Sequence, residues 1–71
     1  MDKKPYCLVG VNGNAHALMG YTHMAMKECG RSEEYTANIM TTAKSGNYDH
    51  LVYVLAEELQ KLNEENGLSE E

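Results

Sequence analysis

Three histidines and two cysteines are the side chains with the widest chemical repertoire in this sequence. His16 and His23 are seven residues apart, which is about 10.5 Å along a helix that rises 1.5 Å per residue. Two side chains at that separation cannot share one metal ion. The residues four positions further on are Gly20 and Lys27, neither of which completes a chelating pair. The spacing therefore predicts no metal site and no cofactor.

Asp49 and His50 form the one adjacent pair of an acid and an imidazole. Neighbouring side chains on a helix point about 100° apart, so this pair cannot hydrogen-bond side by side. Catalysis by a nucleophile or a general base requires a partner that orients it. We expect Asp49 to be a charge at a helix N-terminus and His50 to face outward, and we predict that the protein is not an enzyme.

A glycine-rich stretch, GVNGNA, connects a short β-leaning run to a helical pattern. Backbone N–H groups at such a junction favour phosphate or carboxylate, although the stretch lacks both the P-loop pattern and the full dinucleotide fingerprint. One interpretation is an anionic-ligand site, for example for a nucleotide, built from Gly10, Gly13, Asn14, His16, His23 and Lys27. The other is a simple turn in which Gly13 supplies a positive φ angle.

The overall composition limits the choice of partners. The chain has 71 residues and a net charge of −5, which disfavours binding to a phosphate backbone. A helix-turn-helix role is excluded because the last helix offers only Lys61 against Asp49, Glu57 and Glu58. No apolar run approaches the roughly 20 residues of a membrane span. With two cysteines and no leader pattern, the sequence predicts a cytoplasmic protein that binds neither nucleic acid nor membrane.

The elements that must position these residues are mainly helical. Residues 6–9 predict a short N-terminal strand or extended segment, which must pair across an interface, lie against the helices or fray. Three helices follow: the first is capped by Asn14, the second by Ser32, and the third begins at about Asn47 or Tyr48 with Asp49 near its N-terminus. The first ends at Gly30 and the last at Asn63. We predict one small domain over residues 1–63 and an acidic, disordered tail over residues 64–71.

The first helix has two apolar sides. One is a regular core stripe, and the other carries small and large apolar residues that two short helices can hardly enclose. A domain of this size buries little apolar surface by itself. We therefore expect a homo-oligomer, most simply a dimer. The alternative is that other parts of the same chain cover the second apolar side of the first helix. The predicted contact residues are Ala17, Gly20, Tyr21 and Met24.

Two stretches, LVGVNGNAHALMG and SGNYDHLV, resemble a group of small uncharacterised proteins from bacteria, phages and mobile elements. The group shares a G-x-(D/N)-G-N-A-(F/H) junction and an S-G-(D/N)-Y-D-H-L turn into a final helix. The resemblance implies this layout, and it places His16 where many members have phenylalanine, on a packed surface. Two functions stay open: an acidic, self-associating interaction protein that occupies a host protein, or a small nucleotide-binding sponge.

Overall fold

The structure of the protein is a computed structural model that describes residues 5–8, 10–11 and 13–68. It consists of three helices, α1 (Ala15–Glu28), α2 (Glu33–Lys44) and α3 (Tyr48–Glu65). Helix α3 packs against both other helices, whereas α1 and α2 make fewer contacts with each other. The prediction of a mainly helical fold is confirmed. None of these helices is long and apolar enough to cross a bilayer.

Each helix begins at a polar cap, and the caps of α1 and α2 are the ones that the sequence predicted. The side-chain oxygen of Asn14 accepts from the His16 N–H at 2.8 Å, and Ser32 caps α2 in the same manner. Asn47 accepts from the His50 N–H at 2.9 Å. These side chains satisfy amide donors that a helix leaves without partners in its first turn.

The ends of α1 and α3 both use a glycine with positive φ. Gly30 follows α1 with φ +85°, as predicted, and Gly67 follows α3 with φ +67°. Helix α3 extends to Glu65, two residues beyond the predicted end at Asn63, because the stop is at Gly67, where the Leu68 N–H donates to the Asn63 carbonyl at 2.8 Å. The rest of the predicted tail, residues 69–71, lies outside the described residues.

The core consists of two apolar clusters along α3. The cluster near the start of α3 contains Leu18, Ala43, Leu51 and Leu55, and the cluster near its end contains Ala25, Met26, Leu59 and Leu62. All eight residues are buried.

Residues 5–8, called here the N-terminal segment, form no strand among the described residues and lie against α1 and α3. The Tyr6 N–H donates to Asn63 Oδ1 at 2.8 Å, and Asn63 Nδ2 donates to the Tyr6 carbonyl at 2.9 Å. The Cys7 N–H donates to the Tyr21 hydroxyl at 3.1 Å. The Asn63 carboxamide thus satisfies the backbone N–H and carbonyl of Tyr6, as a neighbouring strand would, and the segment needs no second strand. Of the three predicted outcomes, extended chain against the helices is the one observed.

Candidate functional site

The two glycine-containing motifs meet at one end of the bundle. The Val11 N–H donates to the Leu8 carbonyl at 3.1 Å and closes a tight turn before α1. The Tyr48 hydroxyl, at the start of α3, donates to the Gly13 carbonyl. The junction before α1 is therefore tied directly to the turn before α3.

The positive φ of the first motif is at Gly10 and not at Gly13. Gly10 has φ +90°, whereas Gly13 is absent from the described glycines with positive φ. A Cβ atom at Gly13 would be 3.6 Å from the Tyr48 hydroxyl oxygen, an ordinary contact. The expectation of a positive φ at Gly13 is wrong because the turn closed by Val11 places the left-handed residue earlier in the loop.

His50 does not face outward as the sequence predicted. Its Nε2 atom is 2.9 Å from the Thr42 carbonyl, which can only accept, so this nitrogen carries the proton. The ring lies against Gly46, where a Cβ atom would come within 2.7 Å of it. The Thr42 carbonyl also accepts from the Ser45 N–H at 3.2 Å and from the Ser45 hydroxyl at 2.6 Å. The imidazole of His50 is therefore occupied by the turn, while Asp49 is exposed in the first turn of α3.

The six residues of the predicted anion site are not brought around one point. The side chain of Asn14 already accepts one amide of the first turn of α1. His16, His23 and Lys27 are all exposed along α1, but His23 is about 10.5 Å and Lys27 about 16.5 Å beyond His16 along the helix axis. One small anion cannot contact the loop and all three side chains. Anion binding at the junction stays a prediction.

The predicted contact residues of α1 divide into two directions. Tyr21 turns toward the N-terminal segment, where its ring is edge-on to Tyr6 with the ring centroids 6.3 Å apart. Gly20 and Met24 are exposed, with Met24 at 44%, and Ala17 is half-buried beside them. The outward face of α1, defined as His16, Gly20, His23, Met24 and Lys27, therefore combines exposed apolar and basic groups and contains no acid.

A buried carboxylate is the polar feature that the sequence did not reveal. Glu58 is 2% exposed on the core side of α3. It accepts from Arg31 Nε at 3.1 Å and from the Tyr35 hydroxyl at 2.9 Å. The Arg31 guanidinium also makes two hydrogen bonds to Glu65, at 2.8 and 3.0 Å. Periodicity places position 58 on the core side of α3, but a glutamate at that position suggested solvent exposure. No local sequence pattern identifies Arg31 as the partner of Glu58.

The pKa shifts in this cluster follow from its hydrogen bonds. The bonds from Arg31 hold the pKa of the Glu65 carboxyl below its ordinary value. The bond that Tyr35 donates to the Glu58 carboxylate, followed by desolvation, raises the pKa of the Tyr35 hydroxyl. Both shifts favour the protonation states that keep the network bonded. The cluster acts as a clamp between the α1–α2 turn and α3.

Tyr6 anchors the N-terminal segment through its hydroxyl group. That group donates to Glu28 Oε1 at 2.9 Å and accepts from the Cys29 thiol at 3.9 Å. Burial, and then the hydrogen bond to Glu28, raises the pKa of the Tyr6 hydroxyl well above its ordinary value. Cys29 is half-buried and Cys7 is exposed, and neither forms a disulfide.

Within residues 5–8, 10–11 and 13–68, no three His, Cys, Asp or Glu side chains converge as metal ligands would. The chain matches no family model, no curated protein and no solved structure in the comparisons made with each.

Proposed function

We propose that the chain is a small non-enzymatic interaction protein that self-associates through the outward face of α1. The observation that carries this proposal is Gly20, an exposed glycine in the middle of a helix. Glycine at such a position costs about 0.8–1.0 kcal/mol relative to alanine. A Cβ atom there would meet nothing within 4 Å, and φ is not positive, so neither packing nor backbone geometry within the chain requires glycine.

Contact with a second helix would explain the glycine at position 20, because the absence of a side chain lets two helix backbones approach closely. The surroundings fit such a contact. Met24 is 44% exposed beside Gly20, and Ala17 lies one turn earlier. The contact is short, since 14 residues of helix span about 21 Å. We therefore expect a weak dimer with a dissociation constant in the micromolar range.

Sedimentation velocity over a micromolar concentration series tests this proposal. Gly20→Arg places a charged side chain at the centre of the contact and should weaken association at least about tenfold, since burying an unpaired charge is costly. The fold should persist because the site is open and arginine favours helix more than glycine does. Circular dichroism checks this point.

Asn38→Arg is the matched control, because it adds the same charge at an exposed position of α2. It should leave association unchanged. Wild-type protein that stays strictly monomeric at high micromolar concentration would contradict the proposal. An equal loss in Asn38→Arg would also contradict it, because association would then depend on net charge rather than on this face.

We propose further that the self-associated protein acts by occupying another protein. The resemblance to proteins of phages and mobile elements supports this direction, since small non-enzymatic factors act through binding alone. The described residues support it as well, because His50 and the polar cluster around Glu58 are engaged in structural contacts. Affinity purification under native conditions, followed by mass spectrometry, would identify such a partner.

A further inference from the structure

A groove separates the N-terminal segment from the outer side of α3. Its volume is about 270 Å³, just below the roughly 300–1,000 Å³ typical of small-molecule sites. Pro5, Cys7 and Leu8 form one wall, Ala56 and Gln60 form the other, and Leu68 lies at its end. The groove is thus the size of one or two side chains rather than of a whole ligand.

Most of the groove surface is apolar. The Asn63 carboxamide lines it, but both ends of this amide are bonded to the backbone of Tyr6. The flexible amide of Gln60 is exposed at the rim. An occupant therefore gains mainly from burying an apolar group, and Gln60 offers it one polar contact.

Acidic side chains border this groove on α3. Glu57 and Glu64 are exposed and lie three residues before and four residues after Gln60, so they flank it on the same helix face. Tyr53 continues this face, with 64% of its surface exposed and its hydroxyl bonded to Glu57 at 2.8 Å. The groove rim thus carries two carboxylates and an exposed aromatic ring.

Two other carboxylates of α3 are paired with a basic side chain. Glu58 and Glu65 bond to Arg31, and Lys61 lies beside Glu65. Lys61 also lies four residues after Glu57 and three before Glu64, but neither carboxylate forms an ion pair with a basic side chain among the described residues. Two carboxylates against one lysine leave a net negative charge along the edge of this apolar slot, which is complementary to a basic segment with one apolar side chain.

We propose that this groove binds a basic polypeptide segment of a partner protein. One apolar side chain of the segment enters between Leu8 and Ala56, and its Lys or Arg neighbours lie over Glu57 and Glu64. This inference rests on the proposed role as an interaction protein, but it uses a different surface from the outward face of α1. It names the chemistry of the partner, which self-association does not.

A synthetic peptide with a single leucine between runs of lysines is the probe. Titrated into isotope-labelled full chain, it should shift the backbone amide resonances of Ala56 and Gln60. Replacing its leucine by serine should weaken binding at least about tenfold, as loss of one buried apolar side chain does. Replacing its lysines by glutamates should abolish binding, and added salt should weaken binding of the lysine peptide.

Ala56→Arg fills the groove mouth with a cation and should reduce peptide affinity at least about tenfold, since it removes apolar burial and adds repulsion. Ala37→Arg is the matched control, because it makes the same change at an exposed alanine of α2. It should leave affinity within about twofold. Equal weakening by both variants, or no effect of Ala56→Arg, would overturn the proposal, as would an absence of binding at millimolar peptide.

The same samples separate this inference from the proposed self-association. Gly20→Arg should leave peptide binding unchanged, and Ala56→Arg should leave the sedimentation of the dimer unchanged. A monomeric chain that binds the peptide would contradict self-association alone. A dimer that ignores the peptide would overturn the groove proposal alone. Loss of the dimer in Ala56→Arg would show that a second copy occupies the groove, and this would overturn the proposed partner.

Discussion

The two ends of the bundle are held together by different chemistry. At the turn end, where α2 passes into α3, Asn47, His50 and Tyr48 all bond to backbone groups. At the clamp end, Arg31 and Tyr35 bond to the carboxylates of α3. The turn end is exposed, so each bond there contributes little, whereas the clamp end contains a buried charge whose isolation would be costly.

The largest expected effect is at the clamp end. Arg31→Ala would leave the Glu58 carboxylate buried without its countercharge. We expect a loss of about 3 kcal/mol, at the low end of the range for broken buried pairs, because 19% of the Arg31 side chain is exposed. Urea denaturation measures the change.

Two variants sharpen that measurement. Lys44→Ala removes the same charge from an exposed position and should cost less than about 0.5 kcal/mol. Arg31→Met combined with Glu58→Leu removes both charges and should recover most of the loss. If Arg31→Ala lowers the free energy of unfolding no more than Lys44→Ala does, the proposed energetic difference between the two ends is wrong.

An intermediate effect is expected at the turn end. Gly46→Ala would place a Cβ atom 2.7 Å from the His50 ring, and the ring cannot retreat without losing its bond to Thr42. We expect a loss of about 1–3 kcal/mol, as in other overpacked sites. In a His50→Ala background the clash disappears, so a double-mutant cycle measured by urea denaturation should show strong coupling. Additive costs would mean that the ring does not pack on Gly46.

The smallest effect concerns the loop before α1. Gly10→Ala forces a side chain into a positive φ angle of +90° and should cost about 1–2 kcal/mol. Gly13→Ala should change the free energy of unfolding by less than about 1 kcal/mol, because φ there is permissive and the new contact is ordinary. Thermal unfolding of the two variants gives the comparison. A greater loss of stability in Gly13→Ala than in Gly10→Ala would mean that the strained backbone conformation is at Gly13.

What could be predicted from the sequence was local. The caps at Asn14 and Ser32 and the stop at Gly30 each depend on bonds within one helical turn, so residue type and spacing identify them. The apolar stripe of α3 follows from periodicity alone. Periodicity also indicated the candidate surface on α1, because Gly20 and Met24 lie off the core stripe of that helix.

What could not be predicted depends on distant partners. Arg31 and Glu58 are 27 positions apart, and nothing near either residue indicates the other. His50 reaches only eight positions back, but its direction depends on the angle between α2 and α3. Periodicity places Val54 off the apolar stripe of α3, yet it packs against the cluster that contains Leu18 and Leu55.

The bond between Tyr6 and Asn63 has a consequence for synthesis on the ribosome. These residues are 57 positions apart, so Tyr6 is synthesised well before its partner. At about 5–20 residues per second, the N-terminal segment waits roughly 3 to 11 seconds for Asn63. During that interval Leu8 has no completed core to cover. The N-terminal segment thus docks only after α3 has been made, and chaperones have access to it until then.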